Sequence, residues 1–302
     1  NIGIGLARNE LMRASQSDFI HFQDADDCFD PAWCGKIREQ IAGGDVDIVL
    51  NNVAVVTLPM RQKRPDWLYP FHRLGPGDDL LLFFLKEVFY ILVSMVTFRR
   101  RHGLENGGFL PRGVIAISED YEFFTRLFAL KLRHRALNEP LTIKHRRPKT
   151  LTNDHELAPR REVFVSRLQV GLILQSWLPP FYHPYLAKFF LKSGSSLIKE
   201  GLLEEARTCL RLTEELDLSR PLDGLADLYS KNGAHFFRAG DIRHARQAFE
   251  RARRLGPALY ENASGPYRLV ARSFGPEFAE QCAYLYRELI PEAWRMRMRS
   301  LS

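Results

Sequence analysis

Phe19-Ile20-His21-Phe22-Gln23-Asp24-Ala25-Asp26-Asp27 is the stretch on which the fold of this chain depends. Three apolar residues within five, closed by a turn signal, predict a short buried strand. Three carboxylates follow at its carboxyl end, and the carboxyl edge of an open α/β sheet is where ligands bind. Because close carboxylates repel one another, a divalent cation there would lower the electrostatic cost. The same residues are equally typical of a solvated acidic turn before a helix, and the stretch alone does not decide between these interpretations.

The composition describes an ordinary globular chain of 302 residues, which is long enough for about two domains. Its net charge of +7 favours anionic partners such as lipid headgroups or phosphorylated molecules. Basic residues alternate with acids and no nucleic-acid-binding motif occurs, so a nucleic-acid partner is not expected. The four cysteines fit neither a zinc pattern nor a dense disulfide framework, which favours reduced thiols. We therefore expect a cytoplasmic protein, and a peripheral position at the inner face of the membrane stays open.

Helical and strand patterns alternate over residues 1–154 and predict an α/β domain. Expected helices cover about 6–14, the segment from Asp30-Pro31 to about 41, 80–87, and a segment that begins at Ser118. Expected strands cover 48–50, 53–56, 92–98 and 141–145. The proline-rich segment 57–77 is interpreted as a long surface loop.

Residues 155–302 carry helical patterns only and contain an internal repeat. A set of small and apolar residues recurs at an offset of 39 residues and resembles the tetratricopeptide repeat, a helix–turn–helix unit. The two copies are expected at about 186–221 and 225–258, with Pro221 and Pro257 ending their second helices. The matched positions are Gly194, Leu197, Ala206 and Leu210 in the first copy, and Gly233, Phe236, Ala245 and Phe249 in the second.

The first domain also contains several short motifs whose order resembles that of family 2 glycosyltransferases. The resemblance covers about residues 1–152, and it implies the GT-A fold, a Rossmann-like α/β nucleotide-binding sandwich. The motifs are Asn1-x-Gly3 with Ala7-Arg8-Asn9, Asp24-Ala25-Asp26-Asp27, Asp30-Pro31, Phe98-Arg99-Arg100, Gly107-Gly108-Phe109, and Glu119-Asp120-Tyr121-Glu122-Phe123 with Arg126-Leu127.

The resemblance assigns a metal-assisted transfer to these residues. Asp26, the second Asp of the Asp-x-Asp motif, would hold Mg²⁺ or Mn²⁺, and Asp24 would lie near the donor ribose or sugar. Asp120 would be the general base that accepts the proton of the attacking hydroxyl. At a helix start, the helix dipole would keep Asp120 ionised at neutral pH. Taken alone, Glu119 and Asp120 are more simply explained by acidic enrichment in a first helical turn, and the other motifs reverse that preference.

Other residues carry softer expectations from the same resemblance. Arg8 and Asn9 either contact the donor or hold their helix in place, and Gly108 lets the backbone pass close to the sugar or simply forms a turn. Arg147 would meet the diphosphate as a cation, because aligning on Pro148-Lys149-Thr150 puts it where the family has a histidine. Supporting roles fall to Asp27 and Glu119, and a metal role for His145 is not expected.

Family members begin with a strand that binds the nucleotide base, whereas this sequence starts at the next motif, at Asn1. We therefore expect an N-terminally truncated domain, inactive or unstable by itself.

The predicted function is an inverting glycosyltransferase that moves a sugar from a nucleotide-sugar donor to a hydroxyl of a glycan, a lipid-linked saccharide or a protein, as in polysaccharide biosynthesis. The alternative is a tetratricopeptide-type interaction scaffold, with a protein partner, that carries a degenerate and inactive glycosyltransferase domain. Retention of Asp26 and Asp120 favours the enzyme. A haloacid dehalogenase-type phosphatase is disfavoured by Cys28, and an EF-hand by Cys28 and Phe29. The sequence leaves open the donor, the acceptor, the linkage and the oligomeric state.

Overall fold

A computed structural model describes residues 2–57, 69–87, 91–146, 160–219 and 222–256, with single residues at 270, 275, 278, 279 and 282. The chain divides into two compact units, Asn1–Leu178 and Pro179–Ser302. Residues 147–159 lie outside the described residues, so the predicted boundary between 154 and 155 stays a prediction.

The first unit combines helices with short and long strands, as the alternating pattern predicts. Its helices are α1 Ile4–Ala14, α2 Trp33–Ala42, α3 Leu80–Glu87, α4 Arg100–Glu105, α5 Glu119–Ala129 and α6 Arg160–Gln175, and its strands are β1 Phe19–His21, β2 Cys28–Phe29, β3 Ile48–Thr57, β4 Val96–Arg99 and β5 His134–Arg146.

The described strands form one mixed sheet in the order β1-β4-β3-β5-β2. The central pair, β3 and β5, is parallel, and the other pairs are antiparallel. β2 pairs with the second half of β5, so that Cys28 lies opposite Ile143. This pairing brings the acidic turn after β1 next to the carboxyl end of β5.

A cluster of phenylalanines fills the core between the sheet and α5. The rings of Phe109 and Phe123 stack with centroids 4.0 Å apart, and Phe98 lies 5.6 Å from Phe123. Offset and edge-to-face contacts of this kind add to the stability gained from burial alone. The most deeply buried of these rings are Phe84, Phe98, Phe109, Phe123, Phe124 and Phe128.

The strand predicted as two pieces, 48–50 and 53–56, is one strand with a register shift at Asn51 and Asn52. Both side-chain amides are fully buried. The side chain of Asn52 accepts hydrogen bonds from backbone N–H groups near the register shift. Its Oδ1 accepts from the backbone N–H of Val53 and of Tyr69, at 3.0 and 2.8 Å. The irregularity therefore leaves fewer buried backbone groups without a partner.

Two expectations for this unit are wrong. Tyr69 and Phe71 are buried, so their part of the segment 57–77 packs into the core rather than over the surface. Residues 93–95 form a 3-10 turn, and the strand begins only at Val96. In both places apolar residues are buried in irregular backbone, which periodicity alone cannot separate from a loop or a strand.

The second unit is helical. α7 His183–Lys199 pairs with α8 Leu203–Glu214, and α9 Leu225–Arg238 pairs with α10 Ile242–Leu255. A Cβ added to Gly233 would lie 2.8 Å from the ring of Phe249, so glycine permits the close approach of α9 and α10. The predicted helical hairpins are observed, whereas their assignment as tetratricopeptide repeats stays a prediction. Pro221 and Pro257 lie outside the described residues.

No helix in the described part of the chain is long and apolar enough to span a bilayer.

Candidate functional site

The acidic turn begins directly after β1, as the opening stretch predicts. The backbone N–H of Asp27 donates to the carbonyl of Asp24 over 3.1 Å and closes the turn. The three carboxylates have different surroundings: Asp26 is exposed, Asp24 is half-buried and Asp27 is buried. The turn therefore presents one carboxylate to solvent, with two others behind it.

Arg8 connects this turn to the start of α5. Its Nη1 donates to Glu119 Oε1 over 2.6 Å, and its Nη2 donates to Asp24 Oδ1 over 3.3 Å. The arginine is only 7 % exposed, and charge-assisted bonds inside a protein are stronger than those in water. Sequence positions 111 residues apart are thus held in one cluster.

Asp120 lies next to this cluster, at the second residue of α5. Burial first, and then the charge of the neighbouring Glu119, raise the pKa of its carboxyl from 3.8 to about 7, with Arg8 acting in the opposite direction. At neutral pH the Asp120 carboxyl is therefore only partly ionised, rather than fully ionised as the helix dipole alone predicts. A carboxyl inside the protein loses more hydration than one helix terminus returns.

Asn9 and Gly108 form a second contact between motifs. The amide of Asn9 accepts from the Phe109 N–H and donates to the Phe109 carbonyl, both at 2.8 Å. Gly108 has a φ of +69°, and a Cβ there would lie 2.4 Å from Asn9 Oδ1. Both ends of the Asn9 amide are engaged by Phe109, so the geometry supports the alternative in which Asn9 holds its helix in place, here against the Gly108-Phe109 turn. The donor-binding role of Asn9 stays a prediction.

Arg126 fixes the other side of the same turn. Its Nη2 donates to the Gly108 carbonyl over 2.7 Å, its Nη1 donates to the carbonyl of Asn106, and Glu122 pairs with it from one helical turn earlier. Glu122 is fully buried, so this pair is strongly constrained. Arg126, held by Glu122, therefore fixes the Gly107-Gly108 turn beside Asn9.

A buried polar chain behind the acidic turn was not anticipated. Ser94 Oγ donates to Asp27 Oδ2 over 3.3 Å, and Thr142 Oγ1 donates to the Ser94 carbonyl over 2.8 Å. Asn51 Nδ2 in turn donates to Thr142 Oγ1 over 3.0 Å. Isolated Ser, Thr and Asn residues within apolar runs gave no sequence signal for these contacts.

The carboxyl half of β5 supplies two further side chains. Lys144 Nζ lies 3.9 Å from Asp24 Oδ2, and His145 Nδ1 donates to the carbonyl of Asp26 over 3.2 Å. Burial raises the pKa of Asp27, and the charge of Lys144 counteracts that shift. The predicted diphosphate contact, Arg147, lies outside the described residues.

Within the described ranges, no group of three or more His, Cys, Asp or Glu side chains gathers as a metal site. The turn does offer the exposed carboxylate of Asp26, and Asp27 Oδ1 is buried without a hydrogen-bond partner among the residues described. A hard cation with few protein ligands, completed by phosphate and water, fits such oxygen donors.

Solved structures share this fold. A crystal structure of S. aureus TarS 1-349 in complex with UDP-GlcNAc matches with a TM-score of 0.55 and 18% identity, covering 84% of this chain and 72% of that one. The structure of S. aureus TarS 1-349 alone matches with a TM-score of 0.50 and 16% identity over 83% and 71% of the two chains. The structure of S. aureus TarS matches with a TM-score of 0.50 and 18% identity, covering 82% of this chain and 42% of that one. At these identities the likeness establishes the fold alone. Residues 1–108 match the family Glycosyl transferase family 2, so the first part of this chain is a family 2 glycosyltransferase domain. No curated protein matches the chain.

Proposed function

We propose that this protein is an inverting glycosyltransferase that moves a sugar from a nucleotide-sugar donor to an acceptor hydroxyl. The observation that carries the proposal is the position of Arg8, which bonds to Asp24 of the acidic turn and to Glu119 at the start of α5. These two contacts support a single site that contains both the donor-side motif and the candidate base.

Asp120 is the proposed general base. In a single displacement the acceptor oxygen forms a bond to the anomeric carbon while the bond to the diphosphate breaks, and the acceptor hydroxyl gives its proton to Asp120. A base works best when its pKa lies near the working pH, and a pKa of about 7 meets that requirement. The family match ends at residue 108, so the role of Asp120 rests on the resemblance of the Glu119-Asp120 motif and is supported by its position next to Glu119, which Arg8 contacts.

Asp24 and Asp26 form the proposed donor side of the site, with Asp26 as the metal ligand. Mg²⁺ or Mn²⁺ bound there would neutralise charge on the leaving diphosphate as a Lewis acid. Lys144 and His145 lie beside the same turn and add positive charge and a hydrogen-bond donor. The buried Ser94 and Asp27 hold the turn in place.

Nucleotide release from a panel of nucleotide sugars, with and without Mg²⁺ or Mn²⁺, tests the proposal in the full-length protein. UDP-GlcNAc, which is bound in the TarS complex, is the first donor to try. Asp120→Asn should lower the rate by about 10²- to 10⁴-fold, which is the usual contribution of a general base. Glu10→Gln is the matched control, because Glu10 is an exposed acid on α1, and it should retain the wild-type rate.

The same variants separate the enzyme from the inactive scaffold. If no donor in the panel is turned over under any metal condition, the domain is degenerate and the proposal fails. If Asp120→Asn retains the wild-type rate, the chain is an enzyme but Asp120 is not its base.

A further inference from the structure

The residue directly before α5, the helix that carries the proposed base, has a backbone conformation that is rare for its type. Ser118 lies in the left-handed region, with a φ of +74° and a ψ of 27°. Within the described residues its side chain makes no capping hydrogen bond to α5. A strained residue persists only where its surroundings hold it, and such residues are common at active sites.

α1 holds the start of α5 from one side. Arg8 on α1 bonds to Glu119, the first residue of α5, over 2.6 Å. A Cβ added to Gly5 would lie 2.7 Å from the Leu110 carbonyl oxygen, so α1 packs closely against the backbone that leads into α5. This close contact leaves α1 little freedom to move relative to the segment.

α6 holds the same segment through the hydroxyl of Ser166. The backbone N–H of Ile117 donates to Ser166 Oγ over 3.1 Å, and Ser166 is fully buried. Upstream, the N–H of Val114 donates to the Pro111 carbonyl over 2.9 Å, in a turn that ends before Ile117. The hydroxyl on α6 therefore fixes the backbone one residue before the left-handed Ser118.

A cavity of about 350 Å³ opens beside this contact, with Ala116 and Ser166 in its wall. Arg112, Glu162 and Gln169 line other parts of it. A cavity of this size with polar walls admits water, which can replace a lost hydroxyl as a hydrogen-bond partner. Removal of the Ser166 hydroxyl should therefore loosen the segment without unfolding the first unit.

We propose that Ser166 is a positioning residue for the sugar transfer. Its hydroxyl holds Ile117 and, through it, the left-handed Ser118, which sets where α5 begins and so where the Asp120 carboxyl lies. Asp120 is two residues after Ser118, so a change in the backbone angles at Ser118 moves that carboxyl directly. A displacement of about 1 Å at a reacting group can cost about 10²-fold in rate. The role in catalysis rests on the proposed function, whereas the contact between α6 and the segment does not.

Steady-state kinetics of the full-length protein, with a donor that it turns over, tests this proposal. Ser166→Ala should lower kcat by about tenfold or more and leave the KM for the donor within about threefold, because Asp24 and Asp26 are not touched. Ser166→Thr keeps the hydroxyl, and the cavity gives room for its methyl group, so its kcat should stay within about threefold of the wild type. The matched control is Ser193→Ala in α7. It removes a buried hydroxyl without a hydrogen-bond partner in the described part of the chain, and it should retain the wild-type kcat.

The pH profile of the rate separates positioning from a general loss of stability. Burial is the main cause of the raised pKa of Asp120. Of the charges around it, those of Glu119 and Asp24 raise the pKa and that of Arg8 lowers it. A carboxyl that is no longer held in place becomes better hydrated, which lowers its pKa. In Ser166→Ala the rise in rate should therefore move to lower pH, whereas a variant that merely unfolds more easily would lose rate at every pH and keep the wild-type profile.

Hydrogen exchange followed by mass spectrometry tests the contact without any transfer. Ser166→Ala should speed exchange in peptides that contain Ile117 by about fivefold or more, as expected for the loss of one hydrogen bond, and Ser166→Thr should not. Circular dichroism melting of every variant identifies any that has lost its fold. For a misfolded Ser166→Ala, Ser166→Cys takes its place and should show the same loss of kcat, because a thiol of similar size is a weak acceptor.

Three results would overturn the proposal. The first is a wild-type kcat and pH profile in Ser166→Ala, which would remove the positioning role and leave the proposed function standing. The second is an equal loss of kcat in Ser193→Ala, which would mean that any buried hydroxyl matters. The third is a loss in Ser166→Thr as large as in Ser166→Ala, which would mean that shape rather than the hydrogen bond decides. Faster exchange in Ser166→Ala without sugar transfer in any variant would remove the proposed function and leave the contact as described.

Discussion

Gly108→Ala is the substitution whose effect the structure fixes most closely. Gly108 has a φ of +69°, and the added Cβ would lie 2.4 Å from Asn9 Oδ1. That distance is far inside van der Waals contact, and the atom it meets belongs to an amide with both ends engaged by Phe109. The side chain of Asn9 must therefore leave, and the two backbone groups of Phe109 lose their partners.

The cost has three parts. An L-residue in the left-handed region costs about 1–2 kcal/mol. Each buried backbone group left without a partner costs about 1–3 kcal/mol. Alanine also restricts the unfolded chain, which returns about 0.4–1 kcal/mol. We expect the free energy of unfolding of the first unit to fall by about 4 kcal/mol.

Gly107→Ala is the matched control next to it. Gly107 has a φ of +83°, but a Cβ there would meet only the Nη1 of Arg126, at 3.9 Å. It should therefore lose about 1 kcal/mol, from the backbone conformation alone. Urea unfolding of the full-length variants, followed by circular dichroism, measures both changes.

Equal losses for the two glycines would refute this reasoning, because the clash with Asn9 is the difference between them. A double-mutant cycle gives a second check. In an Asn9→Ala background the clash is absent, so Gly108→Ala should cost only about 1 kcal/mol there. A full additive loss in the double variant would mean that Asn9 and Gly108 do not interact as described.

The folded-state pKa of Asp120 is raised from 3.8 to about 7, so its protonation stabilises the fold at low pH, and this contribution should disappear as the pH rises from about 4 to 7. Asp120→Asn should remove that part of the pH dependence in urea unfolding; an unchanged profile would contradict the raised pKa. Arg8→Gln leaves two carboxylates without their cation and should cost about 3 kcal/mol of unfolding free energy, whereas a loss below about 1 kcal/mol would mean that the bridge is weak. Gly35 lies inside α2 with open space around its Cβ position, so Gly35→Ala should stabilise the protein by about 0.5–1 kcal/mol in thermal unfolding, and a loss would contradict that environment.

Local sequence signals predicted the regular elements well where they agreed with one another. α3 begins after Asp78-Asp79, and Asp79 Oδ1 accepts from the N–H of Leu82 at the first turn. A capping residue followed by an apolar run was sufficient there. β5 was predicted only over 141–145, although it extends from His134 to Arg146. Its first half carries Asn138, Glu139 and Pro140 and depends on pairing with β3, which a local pattern does not contain.

The sequence predicted which residues form the candidate site, but it did not predict their burial, their protonation or their hydrogen-bond partners. Arg8, Asp24 and Glu119 are far apart in sequence, and only the resemblance to a family placed them together. The protonation of Asp120 could not be predicted, because burial by residues distant in sequence outweighs the local helix terminus. The hydrogen-bonded chain from Asn51 through Thr142 and Ser94 to Asp27 joins two strands, β3 and β5, to the 3-10 turn at 93–95 and to the acidic turn, so single polar residues did not predict it.

We propose that Asp120 is the base of a sugar transfer at the site that Arg8 joins together. The pH dependence of nucleotide release from a turned-over donor tests it most directly. For the wild type, the rate at low donor concentration should rise with pH and level off above about 7, the pKa of Asp120. Arg8 lowers that pKa, so Arg8→Gln should move the rise to higher pH. A wild-type profile that is flat from pH 5 to 9, or one that Arg8→Gln leaves in place, would contradict the assignment of Asp120 as the base.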